Sequence, residues 1–249
     1  MRPRIAIPMP HSTDHEYGQR AIPQYECAVE LAGGLPVRIP LDQAPAEVKQ
    51  IIERCDGVLL PGSNADVDPA KFRQALSRHC AAADPRREAI DFLLLDDAYA
   101  RRKPVLGICY GLQSLNVYRR GSLIQHIPDF LPEAARGKVN HGAGKSVAIA
   151  HTVEIERGST LAEIVGESAA ASAQPGIVVP VNSSHHQSAD AIGEGLRPVA
   201  RCPEDGIIEG LEGTAPDHFV LAVQWHPERS VDQDEYSPAI FRALVKAAG

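Results

Sequence analysis

Three residues have the chemistry for covalent catalysis and settings that suit it: Cys109, His226 and Glu228. The cysteine lies in Val105-Leu106-Gly107-Ile108-Cys109-Tyr110-Gly111-Leu112-Gln113. There an apolar run ends between two glycines, and the helical spacing of Leu112, Leu115 and Val117 begins at once. Such a junction is the thiol counterpart of the nucleophile elbow, a tight turn that holds a reactive side chain clear of the sheet edge. A place at the first turn of the helix favours a thiolate, because the axial dipole and the unpaired N–H groups stabilise negative charge. Most free cysteines only fill a core, and the flanking glycines weigh against that reading here.

A thiol nucleophile needs a base, and Val223-Gln224-Trp225-His226-Pro227-Glu228 supplies one. In extended chain, residues i and i+2 point the same way, so Glu228 is expected to follow His226 to one side. Pro227 fixes the intervening φ. A carboxylate behind an imidazole sets its tautomer and stabilises the imidazolium formed when it takes a proton. The turn Leu60-Pro61-Gly62-Ser63-Asn64-Ala65-Asp66-Val67-Asp68 leaves a strand beside the elbow. Its Gly62 and Ser63 N–H groups, with that of Tyr110, are candidates to bind the oxyanion of a tetrahedral intermediate. Asp66 and Asp68 alternate as in a calcium loop, but the remaining ligands of that motif are missing. His185 and His186 are adjacent, which in a strand sends them to opposite faces, and the sequence offers no second cluster to complete a coordination set. Neither a metal nor an organic cofactor is expected.

The elements that must position these groups alternate. Strand-like runs at 4–8, 37–39, 58–60 and 105–108 are separated by helical patterns at 22–32, 46–54 and 86–101. Short links between them predict a parallel sheet covered by helices on both faces, with ligands beyond the carboxyl ends of the strands. The second half reads as antiparallel strands at 146–150, 152–156, 196–200, 207–211 and 219–224. Short and closing helices are expected near 160–165 and over 238–248, with an Ala/Ser-rich surface loop at 166–174. No internal repeat or linker divides the chain, so one domain over 1–249 is expected. Net charge is −7 and no Lys/Arg block occurs, which gives no support to a nucleic-acid partner. No apolar run is long enough for a membrane span and no signal-peptide pattern is present. Five scattered cysteines without a C-x-x-C pair point to a reducing cytoplasm.

Gly-Ile-Cys-Tyr-Gly-Leu-Gln and Gln-Trp-His-Pro-Glu resemble the signatures of class I glutamine amidotransferases. Asn182-Ser183-Ser184-His185-His186-Gln187, Asp205-Gly206-Ile207-Ile208-Glu209 and the Pro61-Gly62-Ser63 turn narrow the resemblance to the γ-glutamyl-γ-aminobutyrate hydrolase branch, of peptidase C26 type. It runs over nearly the whole chain. The resemblance implies a three-layer α/β/α sandwich of flavodoxin-like topology with a small antiparallel addition. It implies a Cys109-His226-Glu228 triad that cleaves a γ-glutamyl amide, and a homodimer. It also makes Gln113, Ser184, His185, His186 and Gln187 candidates for substrate contact. Members often carry Arg after the nucleophile where this chain has Tyr110; Arg119, Arg120 and His126 also depart from the pattern. A phenol cannot pair with a substrate carboxylate as a charge, which leaves the leaving-group side open. A glutaminase subunit serving a partner synthetase and a non-catalytic ligand sensor are the rival readings.

Overall fold

The computed structural model describes residues 1–166 and 176–249. The chain runs β1 (Arg4–Pro8), α1 (His15–Leu31), β2 (Leu35–Ile39), α2 (Pro45–Ile52), β3 (Gly57–Leu60), α3 (Pro85–Arg101), β4 (Val105–Ile108) and α4 (Tyr110–Tyr118). There follow β5 (Leu123–Ile124), α5 (Ile127–Phe130), β6 (His151–Ile155), α6 (Thr160–Gly166), β7 (Ile177–Val181), β8 (Ser188–Ala189), β9 (Leu196–Arg201), β10 (Ile208–Gly213), β11 (Val220–Val223) and α7 (Tyr236–Ala247). Nine strands form one sheet in the order β2-β1-β3-β4-β11-β10-β9-β6-β7. The first five are parallel, in the flavodoxin-like order. The last four pair antiparallel, and β5 and β8 make a separate two-stranded ribbon.

Strands β3, β4 and β11 are buried at every residue, as apolar strands covered on both faces must be. Their side chains alternate between two cores. Ile5, Ile7, Leu59, Leu106, Ile108, Leu221 and Val223 pack toward α1 and α7. Ala6, Val58, Leu60, Val105, Val220 and Ala222 pack toward α2, α3 and α4. This period-2 split produces the three layers. Helix α3 starts on Asp84, whose carboxylate accepts the N–H groups of Arg86 and Arg87, with Pro85 at the first helical position.

Two expectations change. Helix α1 begins at His15, capped by Asp14, and runs through Pro23. Proline suits a first turn, so Pro23 made a start near Ile22 plausible; packing of Tyr17, Ala21, Ile22 and Tyr25 carries the helix past it. Residues 146–150 are not a strand: Val147 and Ile149 alternate, yet both are exposed, so no core rewards the pattern. The partners of β6 are instead β7, which the sequence reading passed over, and β9. The antiparallel addition joins the edge of the parallel strands and extends the central sheet by four strands. The loop expected at 166–174 lies outside the described residues beyond Gly166, which ends α6.

Candidate active site

Parallel strands β4 and β11 are neighbours, with Ile108 opposite Val223, and the Cys109 N–H donates to Val223 O at 2.8 Å. The register therefore delivers Cys109 and His226 to the same carboxyl edge. Cys109 caps α4 with φ 54° and ψ −107°, a backbone conformation L residues rarely adopt. Its carbonyl accepts from the N–H groups of Leu112 and Gln113 at 3.0 and 3.2 Å. The turn leaves no room at Gly111, where a Cβ would sit 2.1 Å from Leu60 O. This strained strand-to-helix turn is the elbow geometry.

His226 and Glu228 are bonded, Nδ1 to Oε1, at 2.7 Å, and both are buried. The means differ from the expected strand alternation: residues 227–229 form a 3₁₀ turn, which curls Glu228 back under the ring. The backbone of His226 is held as well. Its N–H donates to Asn182 Oδ1 at 3.0 Å, and its carbonyl accepts from Asn182 Nδ2 at 2.8 Å. Among the described residues, His226 Nε2 makes no hydrogen bond. A Cβ placed on Gly62 would lie 3.0 Å from His226 Cε1 and 3.7 Å from Cys109 Cβ, so imidazole and thiol-bearing carbon flank one point.

Burial decides the protonation states. It pushes the Cys109 thiol up to about 12, against the opposing pull of Arg229 and the Tyr110 N–H. Desolvation therefore outweighs the helix terminus and favours the thiol over the expected thiolate. Burial also moves His226 below its ordinary 6.5, although the Glu228 charge opposes this. Glu228 is held below the usual range, despite its own burial, by His226 and Arg229. The resting state is thus a thiol, a neutral imidazole whose Nδ1–H faces a carboxylate, and a free Nε2 lone pair. That arrangement suits proton removal during attack rather than a preformed ion pair.

The other candidates fall in different places. The Gly62 N–H donates to Tyr25 OH at 3.0 Å, and Ser63 Oγ accepts from Ala65 N–H at 3.1 Å. Tyr110 turns its N–H toward the Cys109 sulfur, while its ring is buried against Arg87, whose guanidinium lies 4.9 Å from the centroid. Gln113 is buried; its Nε2 donates to Gln187 O at 3.3 Å and Gln224 Oε1 at 3.4 Å. Gln187 donates to Gln125 O at 3.2 Å and leaves its Oε1 unpaired. Ser184 Oγ accepts from Arg229 at 2.8 Å, and the half-exposed His186 ring meets Asp66 Oδ1 at 3.1 Å. His185 instead turns inward to His141, His151 and Glu209. The sequence showed no such second cluster because its members come from separate elements, with no ligand spacing to read.

Four residues escaped the sequence reading: Asn182, Arg229, Tyr25 and Arg87. Arg87 is wholly buried, donating to Asp91 Oδ1 at 2.6 Å, Pro10 O at 3.0 Å and Pro61 O at 2.7 Å, and so fixes the turn before Gly62. Only Asn182 carried a signal, its place in the motif before His185. A cavity of about 720 Å³ lies at the opposite end of the sheet, by Asp217, His218 and Val220, and holds none of these groups.

Fold and site together define an α/β protein of glutamine amidotransferase type with a cysteine at its elbow. A sequence model of the peptidase C26 family matches residues 5–228, and the chain belongs to that family. It is 41% identical over 223 residues to Rv2859c of Mycobacterium tuberculosis, which bears the name of a glutamine amidotransferase. That match covers 88% of this chain and 65% of the mycobacterial protein, so the chain spans about two thirds of that relative. It is 32% identical to the γ-glutamyl-γ-aminobutyrate hydrolase PuuD of Escherichia coli, over 90% of this chain and 84% of PuuD. The glutaminase domain of Trypanosoma brucei CTPS, solved with bound acivicin, superposes with a TM-score of 0.63 at 17% identity, over 99% of this chain and 93% of that one. These relatives support a hydrolase acting on amides. Among the described residues, no helix is long and apolar enough to cross a membrane.

Proposed function

We propose that the protein is a cysteine hydrolase that cleaves the γ-glutamyl amide of a γ-glutamyl amine, with Cys109, His226 and Glu228 as its triad. The observation that supports this reading is the 2.7 Å His226–Glu228 bond, with Nε2 unpaired among the described residues and the ring and Cys109 Cβ both flanking Gly62. The Cys109 sulfur attacks the γ-carbonyl carbon while His226 Nε2 takes the thiol proton, and Glu228 balances the imidazolium. The carbonyl oxygen becomes an oxyanion met by the N–H groups of Ser63 and Tyr110; that of Gly62 serves Tyr25 in this geometry. When the C–N bond breaks, His226 returns its proton to the amine nitrogen. A γ-glutamyl thioester remains; water, deprotonated by His226, attacks it, releasing glutamate and the thiol.

Cations at the rim suit the glutamate carboxylate. Lys145 stacks 5.2 Å from the Tyr17 ring, and its ammonium is lowered by burial and by the charges of Arg229 and Arg20. An anionic substrate would relieve that repulsion. The resemblance to PuuD favours a γ-aminobutyrate-like amine.

The likeness to a synthetase's glutaminase domain favours a second reading, in which the same cysteine hydrolyses glutamine for a partner. Purified protein assayed alone against a panel of γ-glutamyl amides, glutamine included, separates the two. Turnover of substituted amides without a partner supports the hydrolase. Activity on glutamine alone, appearing only with a synthetase, overturns it.

A further inference from the structure

Outside the triad, His141, His151, His185 and Glu209 each offer one donor atom to a shared cluster, and these atoms lie within 4.8 Å of one another. All four residues are at least nine-tenths buried, Glu209 completely. His141 Nδ1, His151 Nε2 and His185 Nε2 approach Glu209 Oε1 at 3.1, 3.6 and 3.3 Å. None of these approaches has hydrogen-bond geometry, and among the described residues none of these atoms makes a hydrogen bond. Metal–ligand bonds of about 2.0–2.2 Å in a tetrahedron put donor atoms about 3.3–3.6 Å apart. The three distances fall around that edge length.

The outer nitrogens fix which tautomer faces inward. His141 Nε2 bonds Asp205 Oδ2 at 2.9 Å, His185 Nδ1 bonds Gln187 O at 2.9 Å, and His151 Nδ1 bonds Thr152 O at 3.1 Å. Each partner is an oxygen acceptor, so each outer nitrogen carries the hydrogen, and each ring, once neutral, turns a lone pair to the other three donors. Metal-ligating histidines are oriented this way by their outer partners. A metal-free cluster can satisfy the Glu209 carboxylate with one imidazolium, but two buried lone pairs then stay unmatched. The neighbouring set of His141, Cys202 and Asp205 is a poorer candidate, because Cys202 donates to Glu204 and Asp205 accepts from Ile207 N–H and His141.

We propose that His141, His151, His185 and Glu209 bind a divalent transition-metal ion of the zinc type, as a closed tetrahedral His₃Glu site. Four protein donors leave no position for a reactive water, so the role is structural. The ion joins β6, β10 and the segment that carries His141 to the loop between β7 and β8. That loop also bears Asn182, the clamp on the His226 backbone. Four side chains from four segments explain why ligand spacing was illegible in the sequence.

The test strips the full-length protein with chelator, re-equilibrates it with Zn(II) or Co(II), and removes free ion by gel filtration. Elemental analysis is expected to find about one ion per chain, and the Co(II) form to show the intense visible bands of tetrahedral coordination. Thermal unfolding shifts upward with the ion, since it binds the folded state alone. Cys109→Ala and His79→Ala, which remove the active-site thiol and a member of an exposed His/Asp group, keep the ion. Glu209→Gln and His151→Gln weaken binding by roughly a hundredfold or more. If those variants fail to fold, the wild-type stoichiometry and cobalt spectrum still decide. Wild-type protein that retains no ion, an octahedral cobalt spectrum, or binding lost only in Cys109→Ala or His79→Ala overturns the site and leaves a buried imidazolium–carboxylate cluster.

Discussion

At Cys109, burial and the helix start pull the thiol in opposite directions, and burial wins by pushing it up to about 12. In the proposed mechanism, catalysis then depends on His226 being neutral. Because burial lowers its pKa, the proposed base is protonated, and activity is expected to be lost, only as pH falls below the ordinary imidazole range. kcat/KM is expected to show that single acid limb and to stay level from about pH 7 to 9. Iodoacetamide labelling of Cys109, followed by peptide mass spectrometry, should keep accelerating with pH through that range. A labelling plateau near neutrality would show a preformed thiolate–imidazolium pair instead. Asn182 gives a second test. Asn182→Ala removes both bonds to the His226 backbone, so kcat is expected to fall about ten- to a hundredfold with KM little changed. Stability, read by urea unfolding, should fall by about 1–3 kcal/mol. An unchanged kcat would deny Asn182 a positioning role.

At the scale of elements, the site rests on the carboxyl edge of β3, β4 and β11 and on α3 behind it. Helix α3 contributes Arg87, whose guanidinium spans Asp91 and the carbonyls of Pro10 and Pro61. Arg87→Leu leaves the buried Asp91 carboxylate without its counter-charge, and a loss of about 3–5 kcal/mol is expected in chemical unfolding. A loss under about 1 kcal/mol would mean that Asp91 is already neutral, in line with the upward push that burial gives its carboxyl. The parallel half was legible because each of its elements is local. Apolar runs such as Val58–Leu60 face two cores and need no partner to be recognised. Boundaries were lost where two rules competed, as at Pro23, which suits a helix start but here lies inside α1. The 146–150 segment misled because alternation marks a strand only if one face is buried, and Val147 and Ile149 are both exposed.

For the molecule as a whole, the three groups proposed as nucleophile, base and carboxylate could be picked out because each sits in a short motif with its own backbone logic. What surrounds them was not. Glu209 on β10, His151 on β6 and His185 beyond β7 converge only through a strand order that nothing local encodes. Tyr110 shows the same limit: its departure from the family pattern looked like a substrate-side change, yet the ring is buried beside Arg87 in a satellite core with Ala65, Val67 and Phe72. The account stands on Cys109 carrying the γ-glutamyl group through a thioester. The direct measurement is rapid acid quench of a turning-over γ-glutamyl anilide reaction, read by intact and peptide mass spectrometry. A γ-glutamyl adduct is expected on the Cys109 peptide within the first turnover, and the Cys109→Ala protein is expected to lack it and to be slower by at least a thousandfold. Wild-type turnover with no adduct, and Cys109→Ala at the wild-type rate, would contradict it.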